Sequence, residues 1–398
     1  MNRNTEKPLS FFVVNFDWRD LFRTGRGEFT EKLNRDQLRP DLNHFFFFSW
    51  GREHYTVRGD GWQTVHTRTF FLHKLRPILN LWAMMLIPYT AWRYRLRPDV
   101  WLVYDFGMVP ACWIAKKMFG GRLIMLLNNQ PVLYSRVRRF GWLKGWYSYV
   151  TERMTVHLVE HFFTLNETMR AYLADLGVPR EQTTLFTVNT IERDTPLIAA
   201  AHPGVIRAQY GIRPDQKVLV AVARLEAEKN YPLLLDLFAK LPTEYVLFCL
   251  GEGSFRPDLE AKVKELGISD RLFLPGNIER ADIWNYYKDA DAFVLLSKVE
   301  ALGIVFWEAM YVHVPVLGAA VPGIMESLGE DGDRGRVWTE SDGPAGFAER
   351  IHFCTTDSPA RAVMIQRAKA FVDDKIQNRV TFNDFIALKN NSVDQHTS

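Results

Sequence analysis

Glu300-Ala-Leu-Gly-Ile-Val-Phe-Trp-Glu308 is the stretch around which the rest of the chain falls into place. An apolar run with strand character, Ala292-Phe-Val-Leu-Leu296, and a turn, Ser297-Lys-Val299, precede it. The pattern predicts a helix from Gly303 to His313. One carboxylate then sits in the loop at the strand's carboxyl end, and the other just over one turn into the helix. Open parallel α/β sheets bind ligands outside the carboxyl ends of their strands. Free N–H groups at a helix start, here near Gly303 and Ile304, favour an anion such as phosphate. Glu308 would lie beside that phosphate and could accept hydrogen bonds from a ribose. Glu300 would face whatever hangs on the far phosphate. Two glutamates at this spacing are more often a loop carboxylate and a solvated helix carboxylate. Position gives them weight here: Glu308 lies in an otherwise apolar run, where a carboxylate is rarely left without a partner.

Outward from that stretch, strands alternate with helices. Lys217-Val-Leu-Val-Ala-Val-Ala223 reads as a strand and leads through Arg224-Leu-Glu-Ala-Glu-Lys229-Asn230 into a helix from Tyr231 to Leu241. Asn230 is expected to cap it, with Pro232 in its first turn. Tyr245–Leu250 is a strand ending in Gly251-Glu-Gly-Ser254, Arg271–Gly276 a short strand and turn, Asp282–Asp289 a short helix, and Pro315–Gly318 a further strand. This alternation implies βα units and a parallel sheet. Arg224 and Lys229 follow the first strand of this half. On that rim two fixed cations can neutralise a diphosphate and stabilise it as a leaving group without a metal. A lone Arg or Lys after a strand is usually a surface charge; pairing with the two glutamates shifts the reading.

The amino half repeats the layout. Phe11–Phe16 reads as a buried strand, followed by a loop ending Gly25-Arg26-Gly27 and a helix from Glu28. Strand, glycine loop and helix let backbone N–H groups approach a phosphate or sugar, although the third glycine of the dinucleotide fingerprint is lacking. Leu42–Ser49, Trp62–Phe71, Arg97–Asp105, Arg122–Asn129, Phe162–Glu167 and Thr183–Val188 are further strand candidates. Several end in polar residues on one rim, and Asp105 is equally a site residue or a helix cap. Asn166 or Thr168 can cap the helix that runs to Leu176. The irregular stretch Ile191–Pro214 marks the main domain boundary, with domains over 1–195 and 196–375. The segment 376–398 is expected to be a final helix, with a return to the amino domain as one reading of it, then a flexible tail.

The 398 residues suffice for two or three domains. Apolar and charged contents of 47% and 24% are ordinary for a globular protein. Charge is uneven: residues 1–180 hold 26 Lys and Arg against 15 Asp and Glu, and the remainder 23 against 31. Two domains with different partners are implied. Gly61–Pro98 and Phe106–Thr151 contain no Asp or Glu. They carry Arg93, Arg95, Arg136, Arg138 and Arg139 among Trp82, Tyr89, Trp92, Trp142 and Trp146. Such basic aromatic segments suit an anionic membrane surface. The competing readings are a solvated basic face over a Trp-rich core and, more remotely, single-stranded nucleic acid. The apolar run Pro77–Tyr89 is too short to span a bilayer. Cys112, Cys249 and Cys354 form no metal pattern, the start lacks a signal peptide, and a cytosolic chain is expected.

Residues 217–326 resemble the nucleotide-sugar-binding half of retaining family-four glycosyltransferases, which have the GT-B fold. The pieces that carry the resemblance are Ala223-Arg224-Leu followed by Lys229-Asn230, Leu250-Gly251-Glu-Gly253, Leu274-Pro-Gly276, Asp289-Ala-Asp-Ala-Phe-Val294, and the Glu300 to Glu308 spacing followed by Ala309-Met310 and Pro315-Val316. The amino half matches more loosely, through Arg97-Pro-Asp-Val-Trp101 and Leu165-Asn-Glu167. The resemblance implies an α/β protein with two Rossmann-like domains whose parallel sheets face across a cleft. It implies that Arg224 and Lys229 bind the donor diphosphate, Glu308 the ribose and Glu300 the transferred sugar. Ala301, Leu302, Gly303 and Ile304 would line the phosphate, the turn at Gly276 would pack the base, and Gly25-Arg26-Gly27 would face donor phosphate and acceptor. Departures are Ala301-Leu302 where the family has Gly-Phe, and His313 where a glycine usually follows the helix. The histidine that the family places at a strand end of the amino domain has no counterpart here; Asp105 or Asn128-Asn129 occupies the equivalent rim. Asp331-Gly-Asp333 reads as a turn.

The expected protein is a retaining, metal-independent hexosyltransferase without cofactor, peripheral on the inner face of the cell membrane. It would move sugar from a UDP- or GDP-sugar to a lipid-linked or cell-surface glycan, with no nucleic-acid partner. An epimerase or phosphorylase on the same fold, and a non-catalytic binding module, are the alternatives.

Overall fold

Val218–Val222 and Ala292–Leu295 become adjacent parallel strands, with Leu219 opposite Ala292 and Val220 opposite Phe293. Unbroken Val, Leu and Phe runs suit that place, because a parallel sheet is covered on both faces. The computed structural model describes residues 9–14, 42–51, 55–59, 62–68, 76–127, 142–186, 191–329 and 331–378. The chain divides into two compact units, Met1–Phe186 with Val380–Ser398, and Thr187–Arg379.

The second unit holds a parallel sheet of six strands: β9 (Lys217–Val222), β10 (Tyr245–Leu250), β11 (Leu272–Gly276), β12 (Ala292–Leu295), β13 (Val316–Ala319) and β14 (Arg336–Trp338). Their order is β11-β10-β9-β12-β13-β14. The chain starts in the middle, winds outward to β11, then returns to the other side of β9. Strand order therefore reverses between β9 and β12, the place where such sheets open a crevice at their carboxyl ends. All of β10 and β12 is buried.

The first unit holds β1 (Leu9–Val14), β2 (Leu42–Gly51), β3 (Tyr55–Gly59), β4 (Trp62–Arg68), β5 (Val100–Val103), β6 (Arg122–Leu127), β7 (His161–Thr164) and β8 (Thr183–Leu185), in the order β3-β4-β2-β1-β5-β6-β7-β8. All pairs are parallel except β3 with β4. Here the reversal lies between β1 and β5. The β3–β4 hairpin corrects the sequence reading, which contained no strand at Tyr55–Gly59. Its signal was present: Gly59 pairs with Trp62 across Asp60-Gly61, a dipeptide that favours tight hairpin turns.

The second compact unit begins at Thr187. The stretch read as irregular contains helices Thr195–Ala200 and Val205–Gln209. Both are tied to the second unit: Lys288 Nζ donates to the carbonyls of Ile198 and Ala201 at 2.6 and 2.8 Å, and Asp289 accepts from the N–H groups of Ile206 and Arg207 at 2.7 and 3.1 Å. From residue 379 onward, the expected carboxyl-terminal segment lies outside the described residues.

Asn166 caps the helix Glu167–Asp175 by accepting from Met169 N–H at 2.7 Å. Asn230 sits at the start of helix Tyr231–Phe238 but makes no side-chain cap. It adopts the left-handed region instead, φ 55°, which Asn tolerates better than most residues. No helix among the described residues is long and apolar enough to cross a membrane.

Candidate functional site

The loops after β9 and β12 meet at the reversal point of the second sheet. Lys298 N–H donates to the Glu228 carbonyl at 2.8 Å, clamping one loop to the other. Lys229 Nζ thereby comes within 2.6 Å of Glu300 Oε2, and Ser297 Oγ donates to the same oxygen at 3.3 Å. Both charged side chains are sheltered, 15% and 13% exposed. Arg224, on the same β9 loop, is half exposed and held by Glu228 Oε1 at 3.0 Å.

Gly303 opens the helix Ile304–Tyr311 in the left-handed region, φ 67°. A Cβ there would meet Phe306 at 2.9 Å and Glu300 Cγ at 3.4 Å, so glycine lets the chain turn tightly under Glu300. The Glu300-Ala301 backbone rests against Gly323, where a Cβ would lie 2.1 Å from the Glu300 carbonyl. Leu302 is buried.

Glu308 finds its partners within the protein. Arg280 Nη2 donates to Oε1 at 2.6 Å and the Tyr287 hydroxyl donates to Oε2 at 2.8 Å. Arg280 also pairs through Nε with the buried Asp194 and lies over the Trp284 ring. Burial disfavours the Arg280 charge, but the Glu308 and Asp194 carboxylates outweigh it and hold the guanidinium above its ordinary pKa. Burial, then the Glu308 charge, push the Tyr287 hydroxyl well above the usual tyrosine range, so it stays a donor. Sequence reading missed Arg280, Tyr287 and Asp194. An arginine just past the β11 turn was the available signal, of the same kind that singled out Arg224.

Gly276, φ 86°, ends β11; its carbonyl accepts from Gly251 N–H at 2.8 Å, and a Cβ would meet Glu252 Oε1 at 2.7 Å. Gly276 is separated from the Lys229–Glu300 pair by β10. In the first unit, Asp105 follows β5 and closes its own turn. Its Oδ1 accepts from Gly107 N–H at 2.8 Å, which is the capping role. Gly25, Arg26, Gly27, Arg136, Arg138 and Arg139 lie outside the described residues. Arg93 and Arg95 are exposed. Trp142 begins the helix Trp142–Leu158, and Trp146 stands 63% exposed on it. Around Asp331–Asp333, Gly332 N–H donates to the Gly329 carbonyl at 3.0 Å, forming the expected turn.

Residues 204–371 match the family model described as glycosyl transferases group 1. The second unit carries a group 1 glycosyl transferase domain. Among sequence relatives, the D-inositol 3-phosphate glycosyltransferase of Mycolicibacterium smegmatis is 31% identical over 237 residues, covering 50% of this chain and 54% of that protein. The alpha-monoglucosyldiacylglycerol synthase of Streptococcus pneumoniae is 28% identical over 171 residues, 42% of this chain and 39% of that protein. The chain thus spans about half the length of the curated relatives it matches. Sucrose-phosphate synthase from Thermosynechococcus elongatus superposes with a TM-score of 0.75 at 16% identity, covering 98% of both chains. The Anabaena protein HepE, solved with UDP and glucose, gives 0.70 at 17% identity over 96% of this chain and all of its own. At such identities the likeness is one of fold: the group 1 domain and the unit before it together have the GT-B fold.

Proposed function

We propose that this chain is a retaining glycosyltransferase. It moves a hexose from a UDP- or GDP-sugar to a lipid-linked or cell-surface glycan at the inner face of a membrane. The observation that carries this reading is the Lys229–Glu300 pair at the reversal point of the group 1 domain, beside the glycine-opened helix start. Lys229, with Arg224 on the same loop, takes the donor diphosphate. The N–H groups at Gly303 and Ile304 add donors, and Glu308, held by Arg280 and Tyr287, receives the ribose hydroxyls. In transfer, the bond from the sugar's anomeric carbon to the phosphate oxygen breaks and a bond to the acceptor oxygen forms on the same face. The acceptor's proton passes to the departing phosphate. Fixed cations stabilise that anion, so no divalent metal is required.

The lipid side of the proposal rests on the first unit. Met85, Tyr89 and Trp92 form one exposed stripe on the helix Arg76–Arg93, at helical spacing. Trp146, Tyr149 and Arg153 form another on Trp142–Leu158, with Arg153 over the Tyr149 ring. The helix Val109–Phe119 packs between them and exposes Lys117 and Met118. Exposed aromatic and basic side chains side by side suit a headgroup layer. The monoglucosyldiacylglycerol synthase named above is a relative whose name includes a lipid.

Calorimetry tests the donor half. The full chain, with chelator present, binds one of UDP-glucose or GDP-mannose, and Lys229→Ala weakens this by about 1.5–3 kcal/mol, the range for a hydrogen bond to a charged group. Binding that requires a divalent metal, or that is unchanged by Lys229→Ala, refutes the assignment.

A further inference from the structure

We propose that Lys229 and Glu300 form an internal competitor for the donor's diphosphate, which makes the site select a sugar-bearing nucleotide over the bare nucleoside diphosphate. The inference rests on the donor reading above and adds to it a discriminating role for Glu300. Without ligand, the Lys229 ammonium lies 2.6 Å from Glu300 Oε2, in a place where neither side chain is more than 15% exposed. A pair so sheltered is screened little by salt. The clamp from Lys298 N–H to the Glu228 carbonyl holds the two loops in register, so the pair is built into the turn. Ser297 Oγ also converges on Oε2, and Oε1 takes no hydrogen bond among the described residues.

A diphosphate arriving at Lys229 finds that charge already neutralised and meets the Glu300 carboxylate as a like charge. To bind, it must part the pair and leave a sheltered carboxylate without its cation, which is costly. A nucleoside diphosphate cannot compensate, because phosphate oxygens, like carboxylate oxygens, only accept hydrogen bonds at neutral pH. Sugar hydroxyls donate. A hexose on the far phosphate can therefore satisfy Glu300 at the moment the diphosphate takes Lys229. The exchange runs backward after transfer. Once the sugar has left, Glu300 loses the sugar's donors, recaptures Lys229 and weakens the hold on the departing nucleoside diphosphate.

The test is binding of UDP, UDP-glucose, GDP and GDP-mannose to the full chain, comparing wild type with Glu300→Gln. Wild type is expected to bind the sugar nucleotide more tightly than its bare diphosphate. Glu300→Gln, which removes the competing charge and keeps the shape, is expected to bind the bare diphosphate about tenfold more tightly than wild type does, and to lose the preference for the sugar form. A variant that holds the bare diphosphate no tighter than wild type overturns the inference while leaving the donor site standing. Should Glu300→Gln fail to fold, Glu300→Asp draws the carboxylate back from Lys229 and must tighten bare diphosphate binding in the same direction; unchanged or weaker binding overturns the inference equally. Wild type that binds none of the four overturns the donor reading and the inference together, and this is seen before any variant is made.

Discussion

Asp289 and Asp291 belong to the run Asp289-Ala-Asp-Ala-Phe-Val294, which helped identify the family, yet they hold no ligand-facing place. Asp289 accepts from three backbone N–H groups at Gly204, Ile206 and Arg207. Asp291 accepts from Val218 N–H and from Arg207 Nη2, each at 2.7 Å. Their work is to fasten the segment that enters the second unit. Arg280 has the opposite history: unmarked in the sequence, it bridges Asp194 and Glu308. Removing it takes the cation from buried Glu308 and leaves buried Asp194 with Arg193, whose Nε lies 3.3 Å from Oδ1. Arg280→Leu is expected to destabilise the second unit by about 3–5 kcal/mol in denaturant unfolding, as for other broken buried pairs. Arg280→Lys should recover part of the stability but not the bridging geometry. His313 shows a different cost, one of backbone conformation. It adopts φ 65°, the left-handed region that favours glycine. His313→Gly should therefore raise stability by about 1 kcal/mol, read as an upward shift of Tm, because the native angle strains a side chain.

At the scale of elements, the glycines after β10 hold backbone against backbone. A Cβ on Gly251, φ 137°, would lie 2.1 Å from the Ala223 carbonyl, and one on Gly253 would lie 2.2 Å from the Leu225 carbonyl. Leu225 N–H donates to the Glu252 carbonyl at 3.0 Å. The β10 loop thus props the β9 loop that carries Arg224 and Lys229. Gly251→Ala is expected to cost at least about 2 kcal/mol of stability through clash and backbone strain, and to weaken donor binding although the residue touches no ligand. Denaturant unfolding with calorimetry reads both, and an alanine variant as stable as wild type would contradict the packing account. Five strands of this unit were legible because their apolar runs are continuous, as burial on both faces demands; β14, three residues that begin with an arginine at the sheet edge, was not. The helices Thr195–Ala200 and Val205–Gln209 were not, because they are short and depend on distant Lys288 and Asp289 for their ends.

For the whole molecule, the charge asymmetry between the two halves gains a surface on which to act. Trp92 and Trp146, 64% and 63% exposed, stand on helices that flank Val109–Phe119, and this first unit carries the basic excess. The full chain is expected to sediment with vesicles containing anionic phospholipid at low ionic strength and to be released by high salt. Replacing both tryptophans by alanine should lower partitioning by about tenfold or more, from the apolar area each ring would bury. Equal sedimentation with neutral and anionic vesicles, or none at low salt, would refute the membrane surface.

The sequence by itself determined the class and the map. Apolar runs alternating with helical segments required parallel α/β units, and the ordered pieces from Arg224 to Glu308 marked the carboxyl rim as the place for chemistry. These are local properties, carried by strand burial, turn residues and helix starts close together in the chain. Only the tertiary structure decided what each charged group touches. Lys229 meets Glu300 because β9 and β12 are neighbours at the point where strand order reverses, and Glu308 meets Arg280 because the β11 turn returns beside the helix after β12. Pairing between residues far apart in sequence depends on strand order, and strand order is not written in the spacing of any one segment.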